Sequence, residues 1–208
     1  MINNNLSYKK EVYIVFLKTN TLMGKVIRGV TRNVYNHVSL SLEDDLEIMY
    51  SFGRYHINSP LVGGFILENP TRYLLGKNDV TIKICTLSLD EEEYASLKSE
   101  LLSFIADKNT IIYNSFSAVF SLFHKKLHID KAYTCIEFVT SILNIEGVIN
   151  IKELERLLKD NVIYEGSFKE YVQAINLVQD EYFEKQPKLY IVVSTAAHFM
   201  RLFFRLLI

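Results

Sequence analysis

The 208 residues carry 23 Lys and Arg against 24 Asp and Glu, a formal net charge of -1, with 49% hydrophobic and 23% charged residues, three Pro and eight Gly. That composition excludes a disordered, collagen-like or low-complexity chain, and the balanced charge leaves no electrostatic footprint for nucleic acid. Two cysteines, Cys85 and Cys135, are too few for a disulfide framework or a Cys-rich zinc site. The apolar run near the N-terminus is brief, β-branched and without a small-residue cleavage site, so it reads as a strand and not as a signal peptide. The expectation is a single domain over residues 1–208 in the reducing cytoplasm.

In chain order, Glu11–Leu17 (EVYIVFL) predicts a buried strand. Residues 21–32 suit a short helix with Leu22, Val26, Ile27 and Val30 on one side. His37–Leu42 (HVSLSL) alternates strictly, as a half-buried strand does, and the acidic turn after it leads to a return strand in EIMYSF. Residues 54–79 hold most of the punctuation and read as a long surface loop with one brief apolar piece. Gly63-Gly64 within it lacks the spacing of a phosphate-binding loop. An alternating strand follows from Val80. A capping box of Ser88 with Glu91 then opens a helix striped by Tyr94, Leu97, Leu101, Phe104 and Ile105. Asn114–Leu122 is apolar and helical, and YTCIEFVTSIL is a helix with Phe138, Val139, Ile142 and Leu143 toward the core. Asn150 with Glu153, and Ser167 with Glu170, cap two short helices. This order predicts an α+β fold, a mainly antiparallel sheet packed with helices.

The last segment, residues 189–208, is long enough to span a bilayer. Spanning would bury His198, Arg201 and Arg205, at roughly 2.5–3.5 kcal/mol for each Arg. A strand over Leu189–Val193 followed by an amphipathic helix is the preferred reading. The wide apolar arc of that helix suits burial against the domain, and its alternative is peripheral docking at an anionic membrane.

Cys135 is the candidate nucleophile. Thr134 is a plausible N-cap and Glu137 stands three residues on, which puts Cys135 at the first helical position, where free N–H groups and the helix dipole favour a thiolate. His37, at a strand start and sharing a face with Ser39 and Ser41, is the candidate base. His124 and His128 lie four apart, but Lys125 and Lys126 stand where a metalloprotease helix carries its Glu, so no metal is expected there. Cys85, in an alternating strand, is expected to be structural.

Together the segments YNHVSLSL and YTCIEFV resemble the circularly permuted branch of the NlpC-type papain-like cysteine hydrolases, the YiiX/YaeF-like amidases. In unpermuted members the Cys helix precedes the His strand; here His37 comes first. His37-Val38 matches the family's HV strand. Cys135-Ile136-Glu137-Phe138 matches its CSEF-like helix start, with Ile136 in place of the usual Ser. IYEGSFKEY, residues 163–171, resembles a late segment of such proteins, and the resemblance covers roughly residues 11–173.

The resemblance implies a papain-like fold and a third polar residue that orients the histidine from the strand after it. The return strand offers Glu47, Tyr50 and Ser51, and a one-residue change of register decides which of them shares the face of His37. The resulting expectation is a cysteine amidase or peptidase that cleaves an amide or acyl bond of a peptide, amide or acyl substrate, without metal or organic cofactor. Two alternatives compete with it: a lipid acyl hydrolase or acyltransferase at a membrane surface, and a non-catalytic interaction module on the same fold.

Overall fold

Strand β1 (Lys10–Lys18) is apolar almost continuously because it is buried on both faces. Val12, Ile14 and Phe16 enter one core, while Val15 and Leu17 enter another on the opposite side of the sheet. The computed structural model describes residues 9–207 except 22–23, 26–27, 30–31, 76–78, 121–126 and 173–179.

After β1 the chain runs through β2 (His37–Ser41), β3 (Met49–Arg54), β4 (Gly63–Glu68), the short α1 (Thr71–Leu74) and β5 (Thr81–Leu89). Helix α2 (Glu91–Ala106), β6 (Ile112–Tyr113), α3 (Ser115–Phe120), β7 (Ala132–Tyr133), α4 (Cys135–Ile142) and α5 (Ile151–Leu157) follow. The chain ends with β8 (Val162–Ser167), α6 (Phe168–Tyr171) and α7 (Lys188–Leu206). The fold is α+β, with a mixed eight-stranded sheet in the order β7-β6-β4-β3-β2-β1-β5-β8. Only the β6–β7 pair is parallel among the described strands.

Helices α2, α4 and α5 cover one face of the sheet. There Phe52 and Phe65 of the sheet meet Phe104 of α2 and Phe138 of α4, with neighbouring ring centroids 5.0–6.0 Å apart. Edge-to-face and stacked pairs of this kind add about 0.5–1.5 kcal/mol each beyond area burial, so α4 is firmly seated on β2 and β3. The smaller core on the other face gathers Leu46, Met49, Tyr73, Leu74, Ile82 and Phe168.

Three local expectations change, and a fourth falls largely outside the described residues. The stretch read as a surface loop contains β4, an inner strand, and α1. Its two glycines serve close approach: a Cβ on Gly63 would lie 2.1 Å from the Gly53 carbonyl oxygen, and one on Gly64 2.1 Å from the Tyr55 hydroxyl. The capping box of α2 is Asp90 with Glu93, two residues later than Ser88 with Glu91, because β5 continues to Leu89. Residues 189–193 are not a strand but the first turns of α7. Pro187 starts that helix, and no turn residue separates the β-branched run from Ala196-Ala197, so helix propagates through it. Finally, Gly24, Lys25, Arg28 and Gly29 of the segment 21–32 are helical, while the apolar stripe expected there (Leu22, Val26, Ile27 and Val30) lies outside the described residues, as does His124.

Candidate active site

The position of Cys135 is built by a local sequence rule. Thr134 has extended backbone and its hydroxyl accepts from the Glu137 N–H at 3.2 Å, while the Glu137 carboxylate accepts from the Thr134 N–H at 2.7 Å. This is the capping box expected from the sequence. It makes Cys135 the first residue of α4, where helix geometry leaves the N–H groups of Cys135 and Ile136 without intrahelical acceptors. Ser117 of α3 hydrogen-bonds to the other Glu137 oxygen and fixes the box from outside.

His37 is the first residue of β2. The residue before it is clamped: Asn36 accepts from the Thr19 N–H at 3.0 Å and from Arg28 at 2.7 Å, and donates to the Thr19 hydroxyl at 2.7 Å. Such a clamp holds the strand start, and with it the imidazole, in one place. The structure brings the two candidates together: the Cys135 side chain lies near enough to the His37 imidazole to act on its protonation.

The third residue is not among those expected. Imidazole Nε2 lies 3.0 and 3.1 Å from the two carboxylate oxygens of Glu68, at the end of β4, which leaves Nδ1 as the nitrogen for the thiol. Glu47 is exposed. Tyr50 pairs with Leu40 and stacks on Phe65. The register Leu40↔Tyr50 does bring Ser51 to the face of His37, but its hydroxyl donates to the Val38 carbonyl at 2.7 Å. That register sets Gly53 opposite His37, and a Cβ there would lie 3.8 Å from imidazole Cε1 and 3.7 Å from Glu68 Oε1. Those are ordinary contact distances; the close neighbour of such a Cβ is Ile66 Cδ1 at 2.6 Å, so glycine here makes room for the Ile66 side chain.

Glu68 is 2% exposed, so its charge needs partners. It accepts from Ser39 at 2.6 Å, and Arg72 Nε stands 3.5 Å away. Arg72 is held in turn over the Tyr182 ring, 3.9 Å from its centroid, and donates to the Arg54 carbonyl. Burial alone would raise the Glu68 pKa, but the charge and hydrogen bond of His37, with Arg72 and Ser39, bring it down to about 2. Burial likewise works to lower the His37 pKa, yet the Glu68 charge and the bonds to Cys135 and Glu68 outweigh it and carry it to about 10. The imidazole is therefore a cation at neutral pH, flanked by a thiol and a carboxylate.

Tyr113 of β6 completes the surroundings. Burial, and then the nearby Cys135 and Glu137 side chains, raise its pKa, so it presents a protonated phenol within electrostatic reach of the thiol. Its carbonyl accepts from His198 Nε2 of α7 at 2.9 Å. His198 is 4% exposed and kept neutral mainly by burial. Cys85 is fully buried, its thiol is pushed up to about 11 by burial, and its Sγ lies 3.6 Å from the Leu158 carbonyl. A shallow depression lined by Glu11, Tyr13, Glu43, Asp44 and Tyr94 shares no residue with the Cys-His-Glu cluster.

Sequence reasoning missed Glu68, Arg72, Asn36 and Gly53. One signal for Glu68 was available: a lone acidic residue closing the apolar run GGFIL directly before Asn-Pro. Compared with known proteins, the chain matches no family model, no curated protein and no solved structure.

Proposed function

We propose that this protein is a cysteine hydrolase of the permuted papain-like kind, cleaving an amide or acyl bond with Cys135, His37 and Glu68. The observation that carries the reading is the single imidazole shared between a thiol at a helix N-terminus and a buried carboxylate. Structural ion pairs also perturb pKa values, but a purely structural pair has no use for a cysteine on the free face of its histidine.

The chemistry follows from the geometry. An imidazolium beside a thiol favours the anionic sulfur, the reactive form. Thiolate sulfur attacks the carbonyl carbon and the π electrons move to oxygen. That oxyanion is met by the N–H groups at the start of α4, donors of a kind worth on the order of 2.7–4 kcal/mol each in acyl transfer. As the C–N or C–O bond breaks, His37 gives its proton to the leaving amine or alcohol, and an acyl-thioester forms. Neutral His37 then takes a proton from water, whose oxygen attacks the thioester. The C–S bond then breaks, the acid leaves, and the proton taken from water stays on His37, which restores the thiolate–imidazolium pair. Glu68 holds the ring orientation and stabilises its charge without itself changing protonation. This reading needs no cofactor.

Intact-mass analysis after reaction with a broad thiol-reactive electrophile tests it. One adduct forms on the wild type and on Cys85→Ala, none on Cys135→Ala, and His37→Ala slows the reaction by at least tenfold. Equal modification of both cysteines, or a rate at Cys135 indifferent to His37, would remove the catalytic reading and favour the interaction module.

A further inference from the structure

Helix α7 is turned inside out relative to an ordinary surface helix. The side it turns to the protein carries His198, hydrogen-bonded to the Tyr113 carbonyl, and Leu202, packed against Ile112, Ile129 and Ala132. Arg205 follows one turn on and donates to the Lys131 and Thr110 carbonyls at 2.8 and 2.7 Å. At 100° per residue, Leu189, Val193, Met200, Phe203, Phe204 and Leu207 share one arc of about 100° on the opposite side. All six are exposed, Leu189 by 76%, Phe204 by 62% and Leu207 by 67%. The helix has the length and composition of a bilayer-crossing segment, with 11% of its apolar window buried. Scattered surface leucines are ordinary, but a continuous apolar face on a long helix marks a docking surface.

Two further observations identify the occupant. From Lys188 to Ile208 the sequence has no acidic residue, while exposed Lys188 and Arg201 stand at the borders of the apolar arc, in a protein whose overall net charge is -1. Apolar bulk with flanking cations is the pattern of a helix lying in the headgroup region of an anionic bilayer, where the arc meets acyl chains and the cations meet phosphate. In addition, the contacts of His198, Leu202 and Arg205 tie the inner face of the second half of the helix to the body along two turns, which leaves the apolar arc of that half turned outward.

We propose that the outer face of α7 docks the protein in the plane of an anionic lipid surface. This docking is independent of the chemistry at Cys135. Co-sedimentation with vesicles of phosphatidylcholine and phosphatidylglycerol (3:1) and of phosphatidylcholine alone tests it. Wild type and Cys135→Ala sediment alike with the anionic vesicles, at least tenfold more strongly than with the neutral ones. Val193→Asp/Phe203→Asp loses this binding by at least tenfold. Lys188→Glu/Arg201→Glu, which leaves the apolar arc intact, loses the anionic preference. Both variants keep the wild-type far-ultraviolet spectrum and melting profile, as expected of substitutions at exposed positions. Absent binding, or equal binding to both vesicles, overturns the proposal. So does a wild-type dimer that ignores vesicles and is dissociated by Val193→Asp/Phe203→Asp, which would assign the face to a second copy of the chain.

Discussion

At the scale of single residues, Glu68 sets the charge of the site. Its carboxylate accepts from Ser39 and from His37, and it is the largest influence keeping the imidazole protonated against the effect of burial. Replacing it by Gln keeps the shape and removes the charge. Burial then dominates, and the His37 titration, placed at about 10 in the wild type, falls by about 2 units or more, as expected when an opposite charge within 4–6 Å is lost. A pH titration of the His37 ring carbons by NMR reads this directly. An unchanged midpoint would show that Glu68 is not what holds the proton. Ser39 was visible from the alternation of HVSLSL, which puts it on the face of His37. Glu68 was not, because it lies one strand beyond the hairpin that holds His37 and nothing in a sequence states which strand becomes the second neighbour. The register was similarly underdetermined: a shift of one residue chooses between Tyr50 and Ser51, and only the second sets Gly53 opposite the histidine.

At the scale of elements, α4 was legible because its start is specified within four residues. Threonine, cysteine, isoleucine and glutamate give a cap, a first turn and a return hydrogen bond without reference to the rest of the chain. Thr134→Ala removes the acceptor for the Glu137 N–H and is expected to cost about 1 kcal/mol in chemical denaturation, within the usual 0.5–2 range. The same variant slows alkylation of Cys135, since the first turn that positions the thiol frays. Strand β4 and helix α7 were misread for opposite reasons. In β4 the Gly-Gly pair looks like loop punctuation, yet it permits backbone approach to Gly53 and Tyr55. In α7 five strand-forming residues looked like a strand, yet β propensity expresses fit to a sheet surface, and this run pairs with no strand and belongs to a 19-residue helix.

For the molecule as a whole, the buried ion pair couples stability to pH. The His37 pKa rises from 6.5 to about 10 on folding, so its contribution is complete below pH 6.5 and is lost as pH climbs through 10. Glu68 moves from 4.5 to about 2, so its contribution is complete above pH 4.5 and is lost as pH falls through 2. These are one interaction seen from its two partners. Its stabilisation forms a plateau between pH 4.5 and 6.5 and declines from there toward pH 10. Denaturation midpoints measured across pH 6.5–10 should slope downward in the wild type and lose that slope in His37→Asn. A slope that persists in the variant assigns the pH dependence to other groups.

The order of the site along the chain has a temporal consequence. His37 and Glu68 lie on neighbouring parts of one meander, but Cys135 arrives only after α2, β6, α3 and β7. At translation rates of about 5–20 residues per second, the roughly one hundred residues between His37 and Cys135 separate their emergence from the ribosome by about 5–20 s. During that interval the nascent chain holds a histidine and a carboxylate without the thiol. The thiol joins them only when α4 settles on β2 and β3 through the Phe52, Phe65, Phe104 and Phe138 contacts. The thiol thus reaches the histidine and the carboxylate only after β1 to β7 have been synthesised, with β8 still to come.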